Sequence, residues 1–211
     1  QAYIEIARIR QREGNLQSAV GHYTRAVEVD EINLPARIEL GRIMLVAGHL
    51  DDALRYAMAA VQLAPNNVEA LTLRAGVALQ VENYDLARSS AETAQKVDPN
   101  AAAPYQVLAA LENRSENYEA ALAYIDEGLK REPENLALNY SKIQMLERLD
   151  RREEIPPILK LLVATNPERN EFRTALIRWH LGRGEKDETE KLVRASAAER
   201  PDETEAARAE L

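Results

Sequence analysis

Histidines and carboxylates are the side chains of this chain that could carry catalysis or bind a metal. The chain has three histidines, His22, His49 and His180, and no cysteine. A zinc site needs several ligands that converge on one point, and nucleophilic catalysis needs a base beside the nucleophile. No two of the histidines have the spacing of metal ligands, and no acidic residue is placed relative to a histidine as a metal site or a catalytic triad requires. We therefore predict no catalytic residue, no metal site and no cofactor.

Two further patterns have structural explanations. The segment Gly182-Arg183-Gly184 is similar to a phosphate-binding loop, but it follows a predicted helix rather than a strand, which favours a turn. The acidic pairs Asp51-Asp52 and Glu153-Glu154 stand at predicted helix starts, where acids favour the positive end of the helix dipole. Neither pattern indicates an enzyme.

The overall charge excludes one class of partner. The chain carries 27 basic and 35 acidic residues, which gives a net charge of −8. Nucleic-acid-binding proteins concentrate positive charge, so we predict no nucleic-acid partner. No apolar run approaches the roughly 20 residues that cross a bilayer, and no transmembrane segment is predicted. Nothing in the sequence indicates a compartment.

Prolines mark a fixed period along the chain. Five of the nine prolines stand 34 residues apart, at Pro65, Pro99, Pro133, Pro167 and Pro201. A second column repeats twelve positions before each of these prolines, and before Glu31, which takes the place of the proline in the first repeat. Its residues are Ala19, Ala53, Ala87, Ala121, Ile155 and Thr189. A period in this range indicates stacked repeats. We predict one domain over residues 1–211 with six repeats, over about 1–33, 34–67, 68–101, 102–135, 136–169 and 170–203.

Each repeat is predicted to contain two antiparallel helices, A and B, so the fold class is all-α. Helix B of repeat two presents Ala53, Ala57 and Ala60 on one face, and these small residues let the two helices approach closely. Residues 204–211 are interpreted as the start of a capping helix or of a further repeat, with Asp202 and Glu205 as a capping box. The chain starts and ends inside helical patterns, so we expect a piece of a longer protein.

The turns between helices A and B carry a second expectation. Gly14 suits the left-handed conformation that ends many helices. Repeats three and four have Glu82 and Glu116 there, each followed by an asparagine, Asn83 or Asn117. Because asparagine tolerates the left-handed region better than most residues, we expect these asparagines to adopt it.

Repeat five departs from the pattern at Pro156 and Pro157. A proline inside a helix costs about 3 kcal/mol or more. We therefore predict that helix B of repeat five begins at or after Glu154, with both prolines in its first turn. The loop before this helix should be longer and the helix itself shorter than in the other repeats.

These columns resemble the tetratricopeptide repeat family. The resemblance spans nearly all 211 residues and rests on Leu40-Gly41, on Gly48-His49-Leu50, on the small-large-small triplets and on the closing Asp98-Pro99-Asn100. It implies an α-solenoid of antiparallel helix pairs in a right-handed superhelix. It also implies a protein or peptide partner on the concave face, which is lined mainly by the A helices.

On this alignment a helical wheel places a set of side chains on the concave face. The candidate partner-binding residues are Ile4, Arg8, Gln11, Ile38, Arg42, Leu45, Thr72 and Leu79. The apolar members and Val46 are either an exposed interaction patch or are covered by neighbouring repeats or a preceding segment. Arg8 and Arg42 either pair with ligand carboxylates or with Glu5 and Glu39 of their own helices.

Three functions remain open at this point. The first is a non-enzymatic scaffold that binds a peptide or protein partner in the concave groove. The alternative is a recruiting or regulatory segment of a larger enzyme whose catalytic domain lies outside this chain. A third is a segment whose main contacts are with a second copy of itself, in a homo-oligomer.

Overall fold

The computed structural model describes residues 1–199, and their side chains as far as Arg194. These residues contain no β-strand and twelve α-helices, namely α1 (Ala2–Arg12), α2 (Leu16–Val29), α3 (Leu34–Val46), α4 (Leu50–Leu63), α5 (Val68–Gln80), α6 (Tyr84–Val97), α7 (Ala103–Arg114), α8 (Tyr118–Arg131), α9 (Leu136–Arg148), α10 (Ile155–Thr165), α11 (Asn170–Gly182) and α12 (Lys186–Glu199). The segment from Asp202 onward, with its predicted capping box, lies outside the described residues.

Within each of two compact units the helices pack in chain order, the odd-numbered ones being the A helices and the even-numbered ones the B helices. The chain divides into two compact units, Gln1–Pro133 and Glu134–Leu211. In the first unit each helix from α1 to α7 packs on the next, and α5 also contacts α3 and α7. In the second unit α9, α10, α11 and α12 pack in sequence. The predicted all-α solenoid of paired helices is confirmed, and the single domain over residues 1–211 stays a prediction.

Small residues bring the helices of each pair together. Ala53, Ala57 and Ala60 of α4 are fully buried. On the facing helix α3, a Cβ atom added to Gly41 would lie 3.4 Å from Cβ of Tyr56 in α4, and 2.7 Å from Cδ2 of Leu73 in the next repeat. The core between repeats two and three adds larger side chains to these alanines, among them Leu71 at 0% exposure. Close backbone packing within a repeat therefore leaves the bulky residues to fill the space between repeats.

The turns between helices A and B correct one expectation. Gly48 has φ +78°, but in repeats three and four the positive φ belongs to Glu82 and Glu116, at 59° each. Asn83 and Asn117 have ordinary negative φ values because they are the N-cap residues of the following helices. The side chain of Asn83 accepts a hydrogen bond from the backbone N–H of Leu86 at 3.1 Å. The left-handed site is thus one residue earlier than we expected, and Asn83 caps α6 instead, whereas Asn117 stands at the N-cap of α8 without a side-chain cap hydrogen bond.

Replacing Glu82 by glycine is expected to raise the free energy of unfolding by about 1 kcal/mol, since a side chain in the left-handed region costs roughly that much. The exposed 4.0 Å contact of Glu82 with Arg114 is lost, and pairs of this kind contribute little. Chemical denaturation followed by circular dichroism measures the change. The reciprocal variant Gly48→Glu should lower stability by a similar amount. If both variants are neutral, the turns carry no such strain.

Helix B of repeat five has the predicted form. A single 3-10 turn, Arg152–Glu154, precedes α10, which starts at Ile155 with proline in its first turn. The missing N–H groups of Pro156 and Pro157 therefore fall where a helix has no internal partner for them. As a result α10 has 11 residues, against 14 for α4 and α8. The predictions of a late start and a shorter helix are confirmed.

Candidate partner-binding face

The candidate binding residues lie on three consecutive A helices of the first unit. Ile4, Arg8 and Gln11 are on α1, the next three on α3, and Thr72 and Leu79 on α5. Arg8 and Arg42 are about half exposed. Gln11, Leu45 and Thr72 are partly buried, and the Oγ1 atom of Thr72 is covered. The charged members are therefore the accessible ones.

The apolar members do not form the exposed patch that was one of the two expectations. Ile4 is 7% exposed, Ile38 2% and Leu79 7%. Each belongs to a core cluster that combines residues of its own repeat with residues of the next, as Ile38 does with Leu71. The other expectation, that neighbouring repeats cover these side chains, is confirmed for the three of them. Val46, by contrast, is 82% exposed.

A first cleft of about 310 Å³ lies between α1, α2 and α3 and is lined by Arg8, Gln11, Arg12, Tyr23 and Glu39. The Tyr23 hydroxyl donates a hydrogen bond to Oε1 of Gln11 at 3.0 Å. Burial raises the pKa of Tyr23, and the negative charge of Glu39 raises it further. The phenol is therefore neutral at physiological pH, and its hydrogen bond holds the side chain of Gln11 in place in the lining of the cleft.

A second cleft of about 450 Å³ adjoins the N-terminal half of α1 and the loop before α3. Its lining includes Ile4, Glu5 and Arg8 from α1 and Ile32 from the loop. Ile32 is 73% exposed. Arg8 lines both clefts, so a ligand that extends from one to the other would pass its guanidinium.

The arginines of this face differ in the carboxylates with which they form ion pairs. Arg8 pairs with Glu5 at 3.0 Å, and Arg42 pairs with Glu39 at 2.9 Å and approaches Glu69 at 3.7 Å. The expected pairing within their own helices is thus confirmed. Exposed pairs of this kind are worth about 0–1 kcal/mol, so a ligand carboxylate can compete for either arginine.

Arg12 lines the first cleft and is exposed, and it forms no ion pair or side-chain hydrogen bond within the described part of the chain. Its guanidinium is therefore available without any exchange of partners. Tyr23 is absent from the sequence-based candidate set. Tyr23 could have been found from the sequence, because it is a tyrosine in the helix B column that holds Ala57 in repeat two and is otherwise apolar. A buried tyrosine hydroxyl usually has a hydrogen-bond partner, which here is a polar group of the cleft.

Comparison with known proteins gives the family. Residues 11–75, from the end of α1 to the middle of α5, match the family model for the tetratricopeptide repeat. This part of the chain belongs to the tetratricopeptide repeat family. The twelve helices of the described residues correspond to six such repeats. No curated protein matches the chain.

Several solved structures share this fold. The thermophilic tetratricopeptide-repeat protein TTC0263 of Thermus thermophilus is 16% identical, with a TM-score of 0.75 over 83% of this chain and 96% of that one. Yeast Tom70 is 19% identical, with a TM-score of 0.71 over 93% of this chain and 42% of that one. A repeat protein from Parabacteroides merdae is 17% identical, with a TM-score of 0.60 over 92% of this chain and 77% of its own.

These identities establish the fold alone. Tetratricopeptide repeats are generally a non-catalytic interaction fold, and proteins built from them bind protein partners. Among the described helices, none is both long and apolar enough to cross a membrane.

Proposed function

We propose that this tetratricopeptide-repeat protein is a non-enzymatic scaffold that binds a peptide or protein partner on the face formed by α1, α3 and α5. The observation that carries the proposal is the position of Arg8, which lines both clefts beside α1. The partner segment carries acidic side chains. The sites that would contact it are Arg8, Gln11, Arg42, Leu45 and Thr72 from the sequence-based set, together with Arg12.

Charge selects the partner more than apolar contact does. Ile4, Ile38 and Leu79 are already buried in the fold, so they have little surface left to lose to a ligand. The first ligand carboxylate is expected at Arg12, whose guanidinium is unpaired within the described residues. A second would exchange with Glu5 at Arg8. Arginine binds a carboxylate in a two-pronged arrangement, which fixes the direction of the ligand as well as adding affinity.

The test compares charge reversal on this face with the same change elsewhere. Fluorescence anisotropy would measure the binding of labelled acidic, neutral and basic peptides to the wild-type chain. Arg8→Glu/Arg42→Glu is expected to weaken the best acidic peptide at least tenfold, roughly the loss of 1.4 kcal/mol. Because charge steers the encounter, affinity should also fall as salt is added.

A matched control exists on the B helices. Arg25 pairs with Glu28 at 2.7 Å and Arg55 with Asp52 at 2.6 Å, so these are exposed pairs of the same i, i+3 kind. Arg25→Glu/Arg55→Glu changes the net charge equally and should leave the affinity unchanged. Equal weakening by both double variants would mean that total charge, and not this face, governs binding. Unchanged affinity in a folded Arg8→Glu/Arg42→Glu chain would exclude the site.

A further inference from the structure

Repeat five replaces the small residues that hold helices A and B together in the other repeats. Ile143 stands in the column of Gly41, Ala75 and Ala109, and Ile155 stands in the column of the buried alanines that begins with Ala19. Side chains of this size hold two backbones apart. Accordingly, α9 and α10 approach each other less closely than the helix pairs of repeats one to four.

The spacing leaves a cleft between α9, α10 and α11, wholly within the second unit. Its volume is about 660 Å³, within the range of small-ligand sites. Ile155 and Leu159, at 6% and 5% exposure, form a nearly buried apolar floor. Ile143 and Trp179 are partly buried and complete the apolar lining.

The indole of Trp179 is held in position from outside the cleft. The guanidinium of Arg183 lies over the ring, 4.9 Å from its centroid. Arg183 in turn pairs with Glu185 at 3.1 Å and with Glu153 of the 3-10 turn. A wall that is already fixed lowers the entropy lost when a ligand packs against it.

Charges of both signs line the same cleft without neutralising each other. Arg178 of α11 and Glu147 of α9 are exposed, and neither forms an ion pair within the described residues. Arg152 contributes a second positive charge, with Asp150 at 3.6 Å as a mostly exposed partner. A ligand that complements this set has one negative end, one positive end and an apolar body between them.

We propose that this cleft binds an apolar amino acid or a short apolar peptide with both termini free. The carboxylate binds Arg178, the ammonium group binds Glu147, and the side chains pack on Leu159 and Trp179. Both charged groups gain a partner, and the apolar floor loses its remaining contact with water. This site shares no residue with the face of α1, α3 and α5 and does not depend on the function proposed for it.

Trp179 is the only tryptophan of the chain, so its fluorescence reports on this cleft directly. During titration with leucine and with the dipeptide Leu-Leu, the selectively excited emission of Trp179 should shift and the shift should saturate. The ligand that binds more tightly indicates whether the cleft suits a single amino acid or a dipeptide. Acetylating the amino end of Leu-Leu, or amidating its carboxyl end, is expected to weaken binding roughly tenfold each, as the loss of a charged hydrogen bond does.

Two variants assign each end of the ligand to its residue. Arg178→Glu should abolish the preference for a free carboxylate, and Glu147→Lys should abolish the preference for a free amino end. The control Lys160→Glu alters an exposed charge of α10 that does not line the cleft. It should leave both preferences intact. Circular dichroism confirms that each variant is folded.

Three results would overturn the proposal. One is the absence of any saturable change in Trp179 emission with either probe. Another is equal affinity for free, acetylated and amidated Leu-Leu, which would mean that apolar contact alone is recognised. The last is an unchanged preference in both charge variants, which would place the ligand elsewhere.

Discussion

Replacing Leu71 by alanine is expected to lower the free energy of unfolding by about 2–5 kcal/mol. Leu71 is fully buried in α5 and belongs to the cluster that joins repeats two and three. Truncation removes the transfer free energy of the lost atoms and leaves a cavity that the surrounding helices fill only in part. The loss falls on an interface between neighbouring repeats, which is the main source of stability in a solenoid.

Urea denaturation followed by far-UV circular dichroism measures this loss on the full chain. Leu63→Ala is the matched control. Leu63 of α4 is 39% exposed, so its truncation removes less buried apolar surface. A change below about 1 kcal/mol is expected there, as for most surface substitutions. If the two variants lost equal stability, burial of Leu71 between repeats would not be what stabilises this part of the array.

Replacing Gly41 by leucine is the second change with a large expected effect. A Cβ atom at this position would lie 2.7 Å from Cδ2 of Leu73 and 3.4 Å from Cβ of Tyr56. Leu73 is only 6% exposed, so it has little room to move away. Overpacking of this kind costs about 1–3 kcal/mol or more. It outweighs the helix propensity gained on replacing glycine, roughly 1 kcal/mol.

Gly76 of α5 provides the comparison. It is also a helical glycine of an A helix, but a Cβ atom added there meets nothing within 4 Å. Gly76→Leu should therefore gain up to about 1 kcal/mol from propensity alone. Denaturation midpoints of the two variants should move in opposite directions. A Gly41→Leu chain as stable as the wild type would show that Leu73 of α5 and Tyr56 of α4 can move away from α3 at no cost.

Features with a local cause were predicted well from the sequence. The late start of α10 follows from the ring of proline and its missing N–H, whatever the rest of the fold does. The turn residues show the limit of this reasoning. An asparagine can tolerate a left-handed φ or cap a helix, and Asn83 caps because the next helix begins there. Glu82 then takes the left-handed position, which propensity alone disfavours.

The burial of Ile4, Ile38 and Leu79 shows a different limit. A helical wheel gives the direction of each side chain on its own helix, but it does not give the distance to the helices of the next repeat. The same limit applies to Arg8 and Arg42. Their ion pairs with Glu5 and Glu39 are local and were foreseen as one alternative, whereas the clefts around them depend on where α2 and α3 lie.

The sequence by itself determined the period, the number and order of the helices in the described residues, and the columns of small residues where helices A and B meet. It did so because each depends on neighbours within one repeat. Only the tertiary structure decided which apolar residues stay exposed, that Arg12 lacks a partner within the described residues, and that Trp179 lines a cleft. These depend on the distances between helices, within a repeat and between neighbouring repeats, which are set by the combined volumes of side chains on different helices, such as Ile143, Ile155 and Trp179.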